Sequence, residues 1–193
     1  MKFINKKGCK TEMNKDELLE KIVKLEYQMF EQLKTNNEEC KRKNTFFLMR
    51  KARFYPLSEK TLNMYLEDLK EAEVRGENPL LMKYRCMEMG IFRAGEMIED
   101  IVKIESEWMA ELMKKYPHVF AKRIEDFERY LRCELLTFSV ETLKGYYGDV
   151  RNMKRMGVNM AELSYEYLFR KMGYGSIREV NESREKGLNS GVI

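Results

Sequence analysis

Blocks of this chain recur in the same order about eighty residues apart. Residues 98–113 (IEDIVKIESEWMAELM) lie over residues 19–34 (LEKIVKLEYQMFEQLK). In that register Glu99, Ile101, Val102, Lys103, Glu105 and Leu112 repeat Glu20, Ile22, Val23, Lys24, Glu26 and Leu33. Residues 139–150 (SVETLKGYYGDV) lie over residues 58–69 (SEKTLNMYLEDL), so Ser139, Thr142, Leu143, Tyr146 and Asp149 repeat Ser58, Thr61, Leu62, Tyr65 and Asp68. Gly157 and Asn159 repeat Gly76 and Asn78, and Tyr165 repeats Tyr84. One such block is ordinary amphipathic text. Several in one order, with their stop and start residues matched, predict one supersecondary unit used twice.

The text within each unit reads as helix. Leu19, Ile22/Val23, Met29/Phe30 and Leu33 recur at three and four, the period of one helix face. Phe46, Met49 and Leu57 mark a short second helix ended near Pro56. Ser58 is placed to cap a third, carrying Leu62, Tyr65/Leu66, Leu69 and Ala72, with Gly76 as its stop. Asn78-Pro79 opens a fourth helix that runs through Met89. With only 3 Pro and 11 Gly in 193 residues, little interrupts such helices. The expectation is an all-α protein of two homologous four-helix units packed around a pseudo-twofold axis with a shared core. The boundaries are a flexible basic arm over 1–15, a first repeat over 16–90, a joint at 91–95 and a second repeat over 96–173. A tail over 174–193 carries a helical turn or two. Each half is too small for a large core of its own, so one compact domain is expected.

Charge and motifs narrow the function classes. The net charge is +4, but the first sixty residues hold fifteen basic and nine acidic side chains, with runs such as Lys41-Arg42-Lys43 and Arg50-Lys51. This is the charge of a solvated helix face, and nucleic acid is not the expected partner. Cys9, Cys40, Cys86 and Cys133 form no C-x-x-C pair, and His118 is the single histidine, in a loop behind Pro117. Zinc-ligand spacing and the Glu-x-x-His pattern of di-metal bundles are both missing, so neither metal nor cofactor is expected. No Gly-rich phosphate loop and no G-x-S-x-G occurs. No apolar run approaches the roughly 20 residues that span a bilayer. A cytoplasmic protein with reduced thiols is expected, and Cys133, beside Arg132, reads as a buried inert thiol.

The informative residues are polar ones on apolar faces. Glu26 lies between Ile22/Val23 and Met29/Phe30, and Glu105 between Ile101/Val102 and Trp108/Met109. A carboxylate there is costly unless paired. Arg50 and Arg53 share a face with Phe46 and Met49, and Arg132 and Glu134 stand near Phe127, Tyr130 and Leu131. Tyr65/Asp68 and Tyr146/Asp149 each add a phenol and a carboxylate one turn apart. These ten residues form the candidate site. Either they are buried ion pairs that fix helix register, or they line a polar pocket between the halves.

The blocks KIVKLEYQMF, DIVKIESEWM, MRKARFYPLSEKTLNMYLEDL and YLRCELLTFSVETLKGYY resemble the DUF4125 family, an uncharacterised bacterial and archaeal group, over most of residues 15–175. The resemblance implies an all-α fold and no assigned activity. A longer insertion is expected in relatives where this chain has only residues 115–126. The leading reading is a binding or interaction module for a protein or small molecule. The alternative is an enzyme or small-ligand-binding protein that uses the Glu/Arg/Tyr cluster.

Overall fold

The computed structural model describes residues 13–33, 43–90, 94–120 and 123–189. Among these the protein is all-α, with nine helices and no strand. They are α1 (Lys15–Glu31), α2 (Lys43–Phe54), α3 (Glu59–Arg75), α4 (Pro79–Met89), α5 (Glu96–Lys115), α6 (Ile124–Leu135), α7 (Val140–Arg155), α8 (Met160–Lys171) and α9 (Ile177–Asn189). Residues 1–12 of the basic arm expected at the N-terminus, most of the joint at 91–95, Cys9 and Cys40 lie outside the described residues, while Asn14 and Lys15, assigned to that arm, instead cap and open α1.

Local chemistry sets the helix ends. Asn14 and Glu17 form a capping box at the start of α1. Ser58 and Ser139 cap α3 and α7, and Asn78 and Asn159 cap α4 and α8. In each case the side-chain oxygen accepts from the backbone N–H three residues on. Gly76 ends α3 at φ 68°, a left-handed conformation that costs glycine nothing.

Two of these capping sites are completed from across the fold. A capping box would carry Glu three residues after the cap, but Thr61 and Thr142 stand there. The backbone N–H of Ser58 donates instead to Asp149 at 2.9 Å, and that of Ser139 donates to Asp68 at 3.0 Å. Each carboxylate therefore satisfies an orphan donor at the positive end of the opposite helix.

α1 packs on α2, α3 and α4, and α5 packs on α6, α7 and α8. α3 lies on α7, α2 on α8 and α4 on α6. The buried faces are the apolar stripes, with Leu18, Leu19 and Ile22 from α1, Leu62, Leu66 and Leu69 from α3, and Ile101 and Leu112 from α5. Gly145 lets α7 approach α3, since a Cβ there would lie 2.2 Å from Met64 Cε and 2.9 Å from Thr61 Oγ1.

Two expectations are corrected. The tail is a 13-residue helix, α9, rather than a turn or two. Ile177 and Val180 anchor it in the core, and Asn181 Oδ1 accepts from the His118 N–H at 3.0 Å. A two-residue apolar stripe is too short to read as a period. The expectation of reduced thiols also fails at two positions, because Cys86 and Cys133 form a disulfide between α4 and α6. The packing of these helices brings the two Cα atoms to 5.6 Å, within bridging reach.

Candidate functional site

The interior between the helices holds six charged side chains in one hydrogen-bonded network. Arg50 (α2) grips Glu26 (α1) in a fork, Nε to Oε2 at 2.8 Å and Nη2 to Oε1 at 2.5 Å. Its Nη1 donates to Glu134 Oε1 at 2.6 Å and to the Tyr130 hydroxyl at 2.7 Å, both on α6. Arg53 (α2) donates through Nε to Glu134 Oε2 and through Nη1 to Glu105 Oε2 on α5, each at 3.0 Å. Its Nη2 donates to the Tyr146 hydroxyl (α7) at 2.5 Å. Lys83 (α4) donates to Tyr130 at 3.1 Å and to Glu134 at 3.3 Å. The Tyr65 hydroxyl (α3) donates to Glu26 at 2.7 Å, and that of Tyr146 donates to Glu105. Every helix from α1 to α7 contributes a side chain.

The network is mostly buried, and only Arg53 and Tyr130 reach toward solvent. Glu26 and Tyr146 are 0% exposed and Glu134 1% exposed. Three carboxylates face three cations, so the enclosed formal charge sums to zero, the condition under which buried ions are tolerated. Burial alone would lower the pKa of Arg50, but Glu134 and Glu26 outweigh it and hold the guanidinium well above its ordinary value. Burial would raise the Glu134 carboxyl, but Arg50, Lys83 and Arg53 hold it well below its ordinary 4.5. Burial pushes the Tyr65 and Tyr146 phenols well above 10, aided by Glu26 and Glu105 respectively.

These shifts give stability two pH limbs. A carboxyl depressed in the folded state contributes stability that is complete above its ordinary range and lost as pH falls through the folded value. Phenols raised in the folded state contribute stability that is complete below their ordinary 10 and lost as pH rises beyond it. The urea midpoint is expected to hold a plateau between about pH 5 and pH 9 and to fall on both sides. Tyr146→Phe removes a titrating phenol and should flatten the alkaline limb. A midpoint unchanged down to about pH 3 would show that Glu134 is not held ionised by its cations.

Seven of the ten candidate residues meet here: Glu26, Glu105, Arg50, Arg53, Glu134, Tyr65 and Tyr146. Arg132 does not. Its guanidinium forks onto Glu99 on the outer side of α5, with both bonds at 2.9 Å. Asp68 and Asp149 are the crossed caps described above. Lys83 and Tyr130 belong to the network without having been singled out. Tyr130 carried a usable signal, four residues before Glu134 on one helix face.

The family model described as "Protein of unknown function (DUF4125)" matches residues 16–182. The chain belongs to the DUF4125 family. No curated protein and no solved structure matches it. The matched span runs from the start of α1 into α9, so it includes all the network residues. Among the described residues no group of three His, Cys, Asp or Glu side chains is placed to hold a metal ion, and no helix is long and apolar enough to cross a membrane.

Proposed function

We propose that this member of DUF4125 is a binding module made by duplication of a four-helix unit, its halves held by the buried ionic network rather than served by it as a catalytic pocket. The observation that carries the reading is the internal neutrality of the network. All six charged groups are bonded to one another or to tyrosines, and all but Arg53, whose side chain is 17% exposed, are buried. A site for a charged substrate keeps an unmatched or reachable group for it.

The packing supports the duplication. Exchanging the halves turns the α2–α8 contact into α6–α4 and leaves α3–α7 as itself. The crossed caps from Asp149 to Ser58 and from Asp68 to Ser139 exchange in the same way. So do the Asn78 and Asn159 amides, which donate to the carbonyls of Met29 and Trp108. On a twofold axis an equivalent position meets itself, so identical residues would clash or repel there. At that axis the two halves have diverged into complements. Arg53 and Glu134 are equivalent by the repeat register and bond each other at 3.0 Å. Met64 and Gly145 are equivalent too, and one fills the space the other leaves.

A structural network predicts loss of stability when one charge is removed. Glu26→Gln and Glu105→Gln should each cost about 3 kcal/mol in urea unfolding, because three interior cations are left facing two carboxylates. Unchanged or raised midpoints in both variants would move the reading to a ligand or proton-transfer site, where neutralising a strained carboxylate relieves the fold.

A further inference from the structure

A groove of about 600 Å³ runs along the outside of α5 and α7, away from the buried network. Four cations line it: Lys103 from α5 and Arg151, Lys154 and Arg155 from α7. One carboxylate, Asp100, lines it with them. Asp100 accepts from the Tyr147 hydroxyl at 2.8 Å, which in turn accepts from Arg151 at 3.1 Å. Lys154 is paired with Glu107 at 2.9 Å. Lys103 has no ion pair within 4 Å among the described residues, although its charge reaches the Glu107 carboxylate that Lys154 holds, and Arg155 is bonded to the neutral amide of Asn152. The groove therefore keeps positive charge that the protein does not neutralise.

The glycines of α7 supply an independent observation. A glycine inside a helix is destabilising relative to alanine. Gly145 has a packing reason, since Met64 occupies the place of its missing side chain. Gly148, one turn on, has none. A Cβ there would meet nothing within 4 Å, and its φ needs no glycine. Gly148 lines the groove with Tyr147, and its missing side chain leaves that part of the wall open. Lys154 and Arg155 suit the negative end of the α7 dipole by position alone. That accounts neither for Lys103 in the middle of α5 nor for Gly148.

We infer that this groove binds a phosphate-bearing small molecule, its phosphate held by Lys103, Arg151 and Arg155 and its remainder lying over Gly148 against Tyr147. The volume is that of a small-ligand site, and guanidinium and ammonium groups together are the usual phosphate grip. The inference rests on the binding-module reading and names its ligand class.

The test is calorimetric titration of the full chain with inorganic pyrophosphate and with ATP. Saturable binding of at least one is expected at or below about 1 mM. Lys103→Glu/Arg155→Glu, both exposed, should weaken it about tenfold or more. Gly148→Leu should abolish binding while raising thermal stability, which separates filling the groove from misfolding. Tighter binding of ATP than of pyrophosphate would assign an organic phosphate. Equal binding would keep the phosphate grip and overturn the place given to the remainder over Gly148. No saturation with either probe, or binding that ignores both variants, would overturn the inference. So would tighter binding of a twenty-residue oligonucleotide that strengthens with length, the mark of a nucleic-acid track. The products of the ATP titration are then assayed. Turnover lost in Gly148→Leu would keep the groove and overturn the non-catalytic reading.

Discussion

Glu134→Gln is expected to lose about 5 kcal/mol in urea unfolding, more than any other single change in the network. The reason is connectivity. Glu134 is bonded to three cations, Arg50 at 2.6 Å, Arg53 at 3.0 Å and Lys83 at 3.3 Å, whereas Glu26 and Glu105 each hold one arginine. The amide keeps the shape but leaves three buried cations facing two carboxylates. The compensating change follows from the same count. Lys83→Met removes one cation with its stem volume nearly kept, and alone it should also destabilise, by unbalancing the network the other way. Combined with Glu134→Gln it restores two against two. The double variant should therefore be more stable than the sum of the single losses by about 1–3 kcal/mol, the range of coupled neighbours. Strict additivity in the cycle would show that the two groups do not share one charge balance.

Much of this arrangement was legible in the residues, for identifiable reasons. The caps Ser58, Asn78, Ser139 and Asn159 are local devices, so their helices could be placed from text alone. Glu26 and Glu105 stood out because a carboxylate interrupts a long, regular apolar stripe. Lys83 did not, because α4 reads PLLMKYRCMEM, with apolar residues on every side and no clear face for a charge to interrupt. Arg132 misled by adjacency. It follows Leu131 directly, but successive helical residues are about 100° apart, so it points to Glu99 while Leu131 and Glu134 point inward. Asp68 and Asp149 misled differently. One turn from an inward tyrosine is far enough round the helix to face another neighbour, here the N-terminus of the opposite long helix. Cys86 and Cys133 are 47 residues apart with no local signature, and their bridge needed the packing of α4 on α6.

Removing that bridge should be the second large effect. A link between residues separated by 47 positions restricts the unfolded chain by about 4 kcal/mol in the loop-entropy account. The folded state adds a local reason for the loss to be felt. α4 delivers Lys83 to the network and carries Cys86 three residues later, while Cys133 adjoins Glu134 on α6. The disulfide thus holds together the two helices whose ion pair lies next to it. The contact of α8 on α2 relies on no such bridge among the described residues, and there Tyr167 stacks on Tyr55 with ring centroids 4.3 Å apart. Cys86→Ser/Cys133→Ser and the dithiothreitol-treated wild type should show the same lowered urea midpoint, with the secondary structure kept. In the untreated protein Cys86 and Cys133 should resist alkylation until a reductant frees their thiols. A wild type indifferent to dithiothreitol would remove the bridge from the account of stability. If the loss occurs, the reduced chain depends on the ionic network to keep α4 in place. Adding Lys83→Met to the reduced protein should then release α4 first, seen as faster amide exchange over residues 79–89 than over α1 or α5.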